Sequence, residues 1–373
     1  MSRWVALLFM LALSASAENR WLRFHSEHFE VFTDAGAGNG REVLRRFEQI
    51  RHVFENRTNR SNLTPLPVRV FVFRGESEFE RFQVHRGIAG YYQPGTDRDY
   101  IAMQLSGADT YRVVYHEYTH LLLRHAGYRV PVWFNEGIAE LFSTADVGKS
   151  EVRVGDLIPA HVATLRDQRL LEIPTLAAVD QDSPFYNERG KSGIFYAQSW
   201  ALVHMLNFAP EYRTGVANFV ELILAGEDTV GAFRQAFGKT PAAIGHDLKA
   251  YLARGRFEGL RFRTTKLDVG SLVAEPVRAV TARLALADLL TSINKLDEAR
   301  LEYGRLEATN PEDVDVLVAL GQFAVRSDDF GGARLYLERA LQAGRATAEL
   351  FYDYAVVLRR LNEPEAIVIN KLE

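Results

Sequence analysis

His116 and His120 flank Glu117-Tyr118-Thr119 within the run Val113-Val114-Tyr115-His116-Glu117-Tyr118-Thr119-His120-Leu121-Leu122-Leu123, whose pattern predicts a helix. Residues four apart share a helix face, so both imidazoles can reach one cation while Glu117 projects beside it. Two nitrogens and a carboxylate suit zinc, which acidifies water enough for a neighbouring glutamate to take its proton as the oxygen attacks a carbonyl. The chemistry so implied is hydrolysis of an amide or ester. Val113, Val114 and Leu121 to Leu123 predict a buried helix, where polar side chains need partners to offset their desolvation. A metal ion is such a partner.

A third ligand belongs on the following helix, and Pro131 to Glu140 offers Glu136 and Glu140 on one face. The run Trp133-Phe134-Asn135-Glu136-Gly137-Ile138-Ala139-Glu140 resembles the Trp-x-Asn-Glu-Gly-x-Ala motif of gluzincin peptidases, including the aminopeptidase-N-like family. The resemblance implies Zn2+ as cofactor, with Glu136 as third ligand beside His116 and His120, and Glu117 as the residue that activates water. As in thermolysin-like relatives, it implies that Glu140 accepts the outer N–H of a bound histidine, His116 in this chain. The stretch from His120 to Glu136 is shorter than in the aminopeptidases, which keeps Glu140 open as the ligand. Gly137 and Ala139 are small enough to let their helix pack closely on the His116 helix.

A tyrosine in aminopeptidase-like relatives stabilises the oxyanion at a broadly similar distance beyond the third ligand, and this implies Tyr196 as a catalytic residue, with Tyr186 as second choice. The other reading has Tyr196 packing with Trp200 in the core. Those relatives recognise a free amine through Gly-x-Met-Glu-Asn. The corresponding stretch, Ala89-Gly90-Tyr91-Tyr92 to Tyr100-Ile101-Ala102-Met103, lacks it, which favours an endopeptidase or processing enzyme. His125, His161 and His204 have no partner at ligand spacing and read as core, capping or surface residues.

These groups need a scaffold, and the pattern predicts an α+β fold: a small N-terminal mixed sheet followed by helices, then an all-α repeat domain. Phe29 to Thr33 and Val68 to Phe73 read as strands, and Tyr91-Tyr92 with Tyr100 to Met103 as a hairpin. Glu42 to Phe54 carries apolar residues at helical spacing, and from Asp109 onward the pattern is helical, notably over 110–125, 134–142 and 194–207. A composition break falls around Thr264 to Pro276. Beyond it Leu286-Ala287-Asp288 recurs as Leu320-Gly321-Gln322 and Tyr354-Ala355-Val356, while Ala299, Ala333 and Ala366 mark each second helix. These positions resemble tetratricopeptide repeats, where small side chains let paired helices approach. The expected organisation is a signal peptide at 1–17, a metallopeptidase domain at 18–263, a linker at 264–279 and repeats at 280–373, the third incomplete.

Arg3, the apolar run Trp4 to Leu13 and Ala15-Ser16-Ala17 have the layout of a cleaved signal peptide, which predicts a periplasmic or secreted protein without stable membrane insertion. The chain has no cysteine, so neither disulfides nor thiolate ligands are available. A formal charge of -4 gives no broad attraction to nucleic acid. The expected partners are a peptide or protein substrate, with a further protein partner on the repeat surface. The alternative is a repeat-based binding or assembly protein with a weakly active or inactive peptidase domain.

Overall fold

In a computed structural model the described residues are 21–58, 66–95, 98–106, 110–264 and 272–364. The expected signal peptide, Thr96 and Asp97 of the hairpin turn, residues 265–271 of the expected linker, and Ala366 with the chain end lie outside them.

Strand β1 (Leu22–His25), β2 (Phe29–Thr33), helix α1 (Ala37–Thr58), β3 (Val68–Phe73), α2 (Glu76–Phe79), β4 (Gly90–Gln93) and β5 (Tyr100–Gln104) open the chain. Two helices carry the candidate ligands, α3 (Thr110–His125) and α4 (Val132–Ser143). Next come β6 (Asp146–Val147), β7 (Glu151–Val154), α5 (Pro159–Asp167), α6 (Ile173–Ala177), α7 (Pro184–Asn187) and α8 (Arg189–Phe208). They are followed by α9 (Pro210–Arg213), α10 (Val216–Leu224), α11 (Thr229–Phe237), α12 (Pro241–Ala253), β8 (Leu260–Arg263) and β9 (Glu275–Pro276). The last described elements are α13 (Ala279–Ser292), α14 (Leu296–Thr309), α15 (Val314–Arg326), α16 (Phe330–Gln342) and α17 (Ala348–Arg360). The fold is α+β, with a sheet near the N-terminus and a helical C-terminal region.

The main sheet runs β4-β5-β3-β2-β1-β9, with β2, β3 and β5 parallel and the outer pairings antiparallel. Its central strands are apolar on both faces, because period-two alternation there separates two sets of large side chains rather than apolar from polar. Val31, Val70 and Ile101 lie in register on one face, and Phe32, Phe71 and Ala102 on the other. The first face packs with α1 and α3: Phe47 on α1 lies 5.5 Å from the Phe29 ring and 5.1 Å from that of Tyr118. The second shares a buried cluster with Ala285, Leu289 and Leu290 of α13 and with Tyr303, Leu320 and Phe323 beyond it. Near that cluster Asp288 accepts from Arg69 (3.2 Å), Tyr100 (2.6 Å) and Arg326 (2.9 Å), while Arg69 also pairs with Glu30 at 2.7 Å. The helical region and the sheet therefore share a core, and β9, within the segment expected to be a linker, is hydrogen-bonded to β1.

The chain is not purely helical after Asp109. Strands β6, β7 and β8 form a second, antiparallel sheet. Val152 and Val154 are buried and alternate with exposed Glu151 and half-buried Arg153, a short alternation that becomes a strand because residues 260–263 return to pair with it.

Candidate metal centre

Helix α3 ends in a motif that turns the chain sharply: Tyr128 N–H donates to Leu123 O, Gly127 N–H donates to Arg124 O, and Gly127 has φ +73°. Only glycine takes that left-handed conformation without strain. Pro131 then precedes α4, so the two helices are close neighbours in sequence and in space. Helix α4 lies between α3 and α8. At Gly137 a Cβ would fall 2.5 Å from the Ser199 carbonyl oxygen and 2.5 Å from Val203 Cγ2, both on α8. The close approach that Gly137 permits is thus to α8 rather than to the His116 helix. One residue of helix advance turns it away from the face that carries Glu136.

Three ligand atoms converge across α3 and α4. His116 Nε2 and His120 Nε2 are 3.1 Å apart, and Glu136 Oε2 lies 3.3 Å from the first and 3.6 Å from the second. The outer nitrogens face acceptors: His120 Nδ1 is 2.8 Å from Asn135 Oδ1, and His116 Nδ1 is 3.7 Å from Glu140 Oε1. Asn135 places the His120 ring proton on Nδ1, and the Glu140 carboxylate facing His116 Nδ1 favours the same there, which leaves both Nε2 lone pairs directed inward. Glu136 Oε2 is itself buried and has no hydrogen-bond donor among the described residues. Two lone pairs and a carboxylate oxygen facing one another need positive charge between them. Burial alone would raise the Glu136 carboxyl, but the two imidazoles outweigh it and hold it at about 2. Burial likewise opposes the charged form of His120, yet the Glu136 carboxylate outweighs it and raises the ring's pKa. His116, His120 and Glu136 form a group able to hold a metal ion, and the donor chemistry fits a divalent cation.

Glu140 faces the other side of the His116 ring from Glu136. Arg112 donates to its Oε2 at 3.1 Å, and His161 Nε2 lies 3.2 Å from the same oxygen. Burial again opposes ionisation, but His161, His116 and Arg112 hold the Glu140 carboxyl at about 2. A cleft of about 510 Å³ opens alongside, lined by Arg112, Glu117, Glu140, His161 and Tyr196 among others. Tyr186 is turned toward the cluster and donates to Glu136 Oε1 at 3.2 Å. Burial pushes its pKa up to about 12, helped by the Glu136 charge. The Tyr196 ring lies 6.0 Å from that of Tyr186.

Residues 111–222 match a family described as "Protein of unknown function (DUF1570)". The matched span is under a third of the chain and contains all of these residues from Arg112 to Tyr196. No curated protein and no solved structure matches the chain.

The remaining histidines divide. His204 is fully buried, donating from Nε2 to Gly155 O (2.9 Å) and accepting at Nδ1 from the Tyr251 hydroxyl (2.7 Å), a satisfied core histidine. His125, in the last turn of α3, pairs with Asp99. His161 is not among the three converging ligands, but it stands on the cleft wall beside Glu140, a place its sequence surroundings did not foretell. Asn135 also escaped the sequence reading. It stands inside the quoted motif next to Glu136, and that adjacency was the available signal.

Proposed function

We propose that the chain is an exported zinc-dependent hydrolase of peptide bonds, an endopeptidase or processing enzyme. The observation that carries this reading is the convergence of two inward Nε2 lone pairs on the Glu136 carboxylate at the edge of a cleft that also holds Glu117 and Tyr196. His116, His120 and Glu136 would hold Zn2+, because two imidazoles and one carboxylate match its preferred ligands and geometry. When bound, the ion supplies Lewis acidity to water and to the scissile carbonyl.

The chain's own residues do the rest. Glu117 takes the proton from the attacking water and passes it to the departing amine nitrogen, so the C–N bond breaks with no net change in enzyme protonation. Tyr196 donates its phenolic O–H to the carbonyl oxygen as negative charge grows there. Tyr186 keeps Glu136 Oε1 occupied, which leaves Oε2 for the metal. Asn135 and Glu140 hold the two imidazoles in the tautomer that ligation requires. The match of Trp133 to Glu140 to the gluzincin motif supports the same assignment. Export rests on Arg3, the apolar run that follows it and Ala15-Ser16-Ala17. Among the described residues no helix is long and apolar enough to cross a membrane. The small-residue register of α13 to α17 supports a tetratricopeptide arrangement, and the concave surface of such repeats is the candidate site for a protein partner.

The test is zinc content and cleavage of internally quenched peptides blocked at both ends, for the parent and Glu117→Ala. The reading expects zinc in both and cleavage by the parent alone. Zinc in both with no cleavage would favour the binding-protein alternative, and a parent without zinc would refute the metal centre.

A further inference from the structure

Glu140 has two carboxylate oxygens, and only one of them faces the metal-binding cluster. Oε2 meets two helices: Arg112 Nη2 on α3 donates to it at 3.1 Å, and His161 Nε2 on α5 lies 3.2 Å from it. With Oε2 committed, Oε1 is the oxygen that meets His116 Nδ1, at 3.7 Å. The two neighbours are not equally enclosed. The Arg112 side chain is 38% exposed and shares its charge with solvent, whereas that of His161 is 12% exposed and its ring lies 5.8 Å from that of Trp200. A polar contact enclosed by protein is screened less by solvent than an exposed one. His161 Nε2 is enclosed yet lies off the line that a hydrogen bond to Glu140 needs. A small rotation of the carboxylate would complete that bond and bring Oε1 to bear on His116. No described residue of α5 is buried, and among them His161 is the one ion-paired with α4, so it also ties that helix to the site.

We propose that His161 is a positioning residue for the metal centre. By holding Glu140 Oε2 it directs Oε1 at His116 Nδ1, fixes the proton on that nitrogen, and so sets the affinity of the site for zinc. The inference rests on the metal-centre reading given above, and it assigns to a residue of α5, which contributes no ligand, control over a ligand of α3.

The experiment measures zinc affinity of the full chain in competition with a chromophoric chelator. It compares the parent with His161→Leu, His161→Gln, Glu140→Gln and the double variant His161→Leu/Glu140→Gln. Leucine removes the donor at comparable bulk, and glutamine restores an N–H. Loss of a group that orients a metal-bound histidine weakens binding by roughly 10- to 100-fold. One contact further out, His161→Leu is expected to weaken zinc about tenfold, with His161→Gln within about threefold of the parent. In the Glu140→Gln background His161→Leu should add nothing, because the two act in series. The visible spectrum of the cobalt-loaded His161→Leu variant should shift from the parent's, a change that general loosening of α5 would not produce. If the leucine variant does not fold, His161→Asn, too short to reach Glu140, takes its place with the same expected loss. Parent-like affinity in His161→Leu, or an equal loss with and without Glu140, overturns the inference alone. A parent that binds no zinc overturns it together with the metal centre.

Discussion

Replacing Gly137 with alanine probes the contact that fixes α4, and with it Glu136, against the rest of the domain. The added Cβ would meet the Ser199 carbonyl oxygen at 2.5 Å, Val203 Cγ2 at 2.5 Å and the Ser199 carbonyl carbon at 2.9 Å. Carbon atoms in contact prefer about 3.5–4.0 Å, so the shortfall is of order 1 Å. A side chain could rotate away, but the Ser199 carbonyl belongs to the backbone of α8 and moves only if the helix moves. Overpacking of this kind costs about 1–3 kcal/mol, here toward the upper end. Alanine returns up to about 1 kcal/mol through its better helix propensity. The expected net loss is about 2 kcal/mol, which lowers the melting temperature of a domain of 150–250 residues by roughly 4–8 °C. Gly304 on α14 is the control, since it is exposed and a Cβ there meets no atom within 4 Å among the described residues. Gly304→Ala should therefore stabilise, by about 0.5–1 kcal/mol. Calorimetric melting of both variants beside the parent reads the sign directly. If Gly137→Ala melts at or above the parent, the reasoning about the α4 and α8 contact is wrong.

Two further perturbations have worked signs. Burial lowers His204 from 6.5 to about 4 against the opposing hydrogen bond to Gly155, so the unfolded chain binds more protons than the folded one between those values. Stability is then fully present above about pH 6.5 and falls as the pH drops toward 4, by up to about 3 kcal/mol. Urea unfolding across that range should show a steeper acid slope in the parent than in His204→Gln, and equal slopes would count against the neutral buried ring. At the seam of sheet and helices, Asp288→Ala removes the acceptor that Arg69, Tyr100 and Arg326 share, and is expected to cost about 1–3 kcal/mol. A melting temperature unchanged from the parent would show that this cluster is not holding α13 to the sheet.

What the sequence alone determined lies within reach of neighbours along the chain. The four-residue spacing of His116 and His120 puts both on one helix face, alternation in Val68 to Phe73 makes a strand, and the recurrence from Ala287 to Gly321 to Ala355 sets a register of paired helices. The resemblance of Trp133 to Glu140 to the gluzincin motif favoured Glu136, but helix spacing alone leaves Glu136 and Glu140 open. Both stand on one face of α4 a turn apart, and only the approach of α4 to α3 brings Glu136 Oε2 to the two Nε2 atoms and Glu140 to the far side of His116. Tertiary packing also turned Gly137 toward α8, set His161 against Glu140 and paired β7 with a strand from the far end of the domain. It buried the second face of the sheet under α13 as well, where alternation signals that a face is apolar but not what will cover it. Period and propensity are properties of a segment. Which side chains converge is set by contacts between segments distant in sequence, and those exist only once the chain has packed.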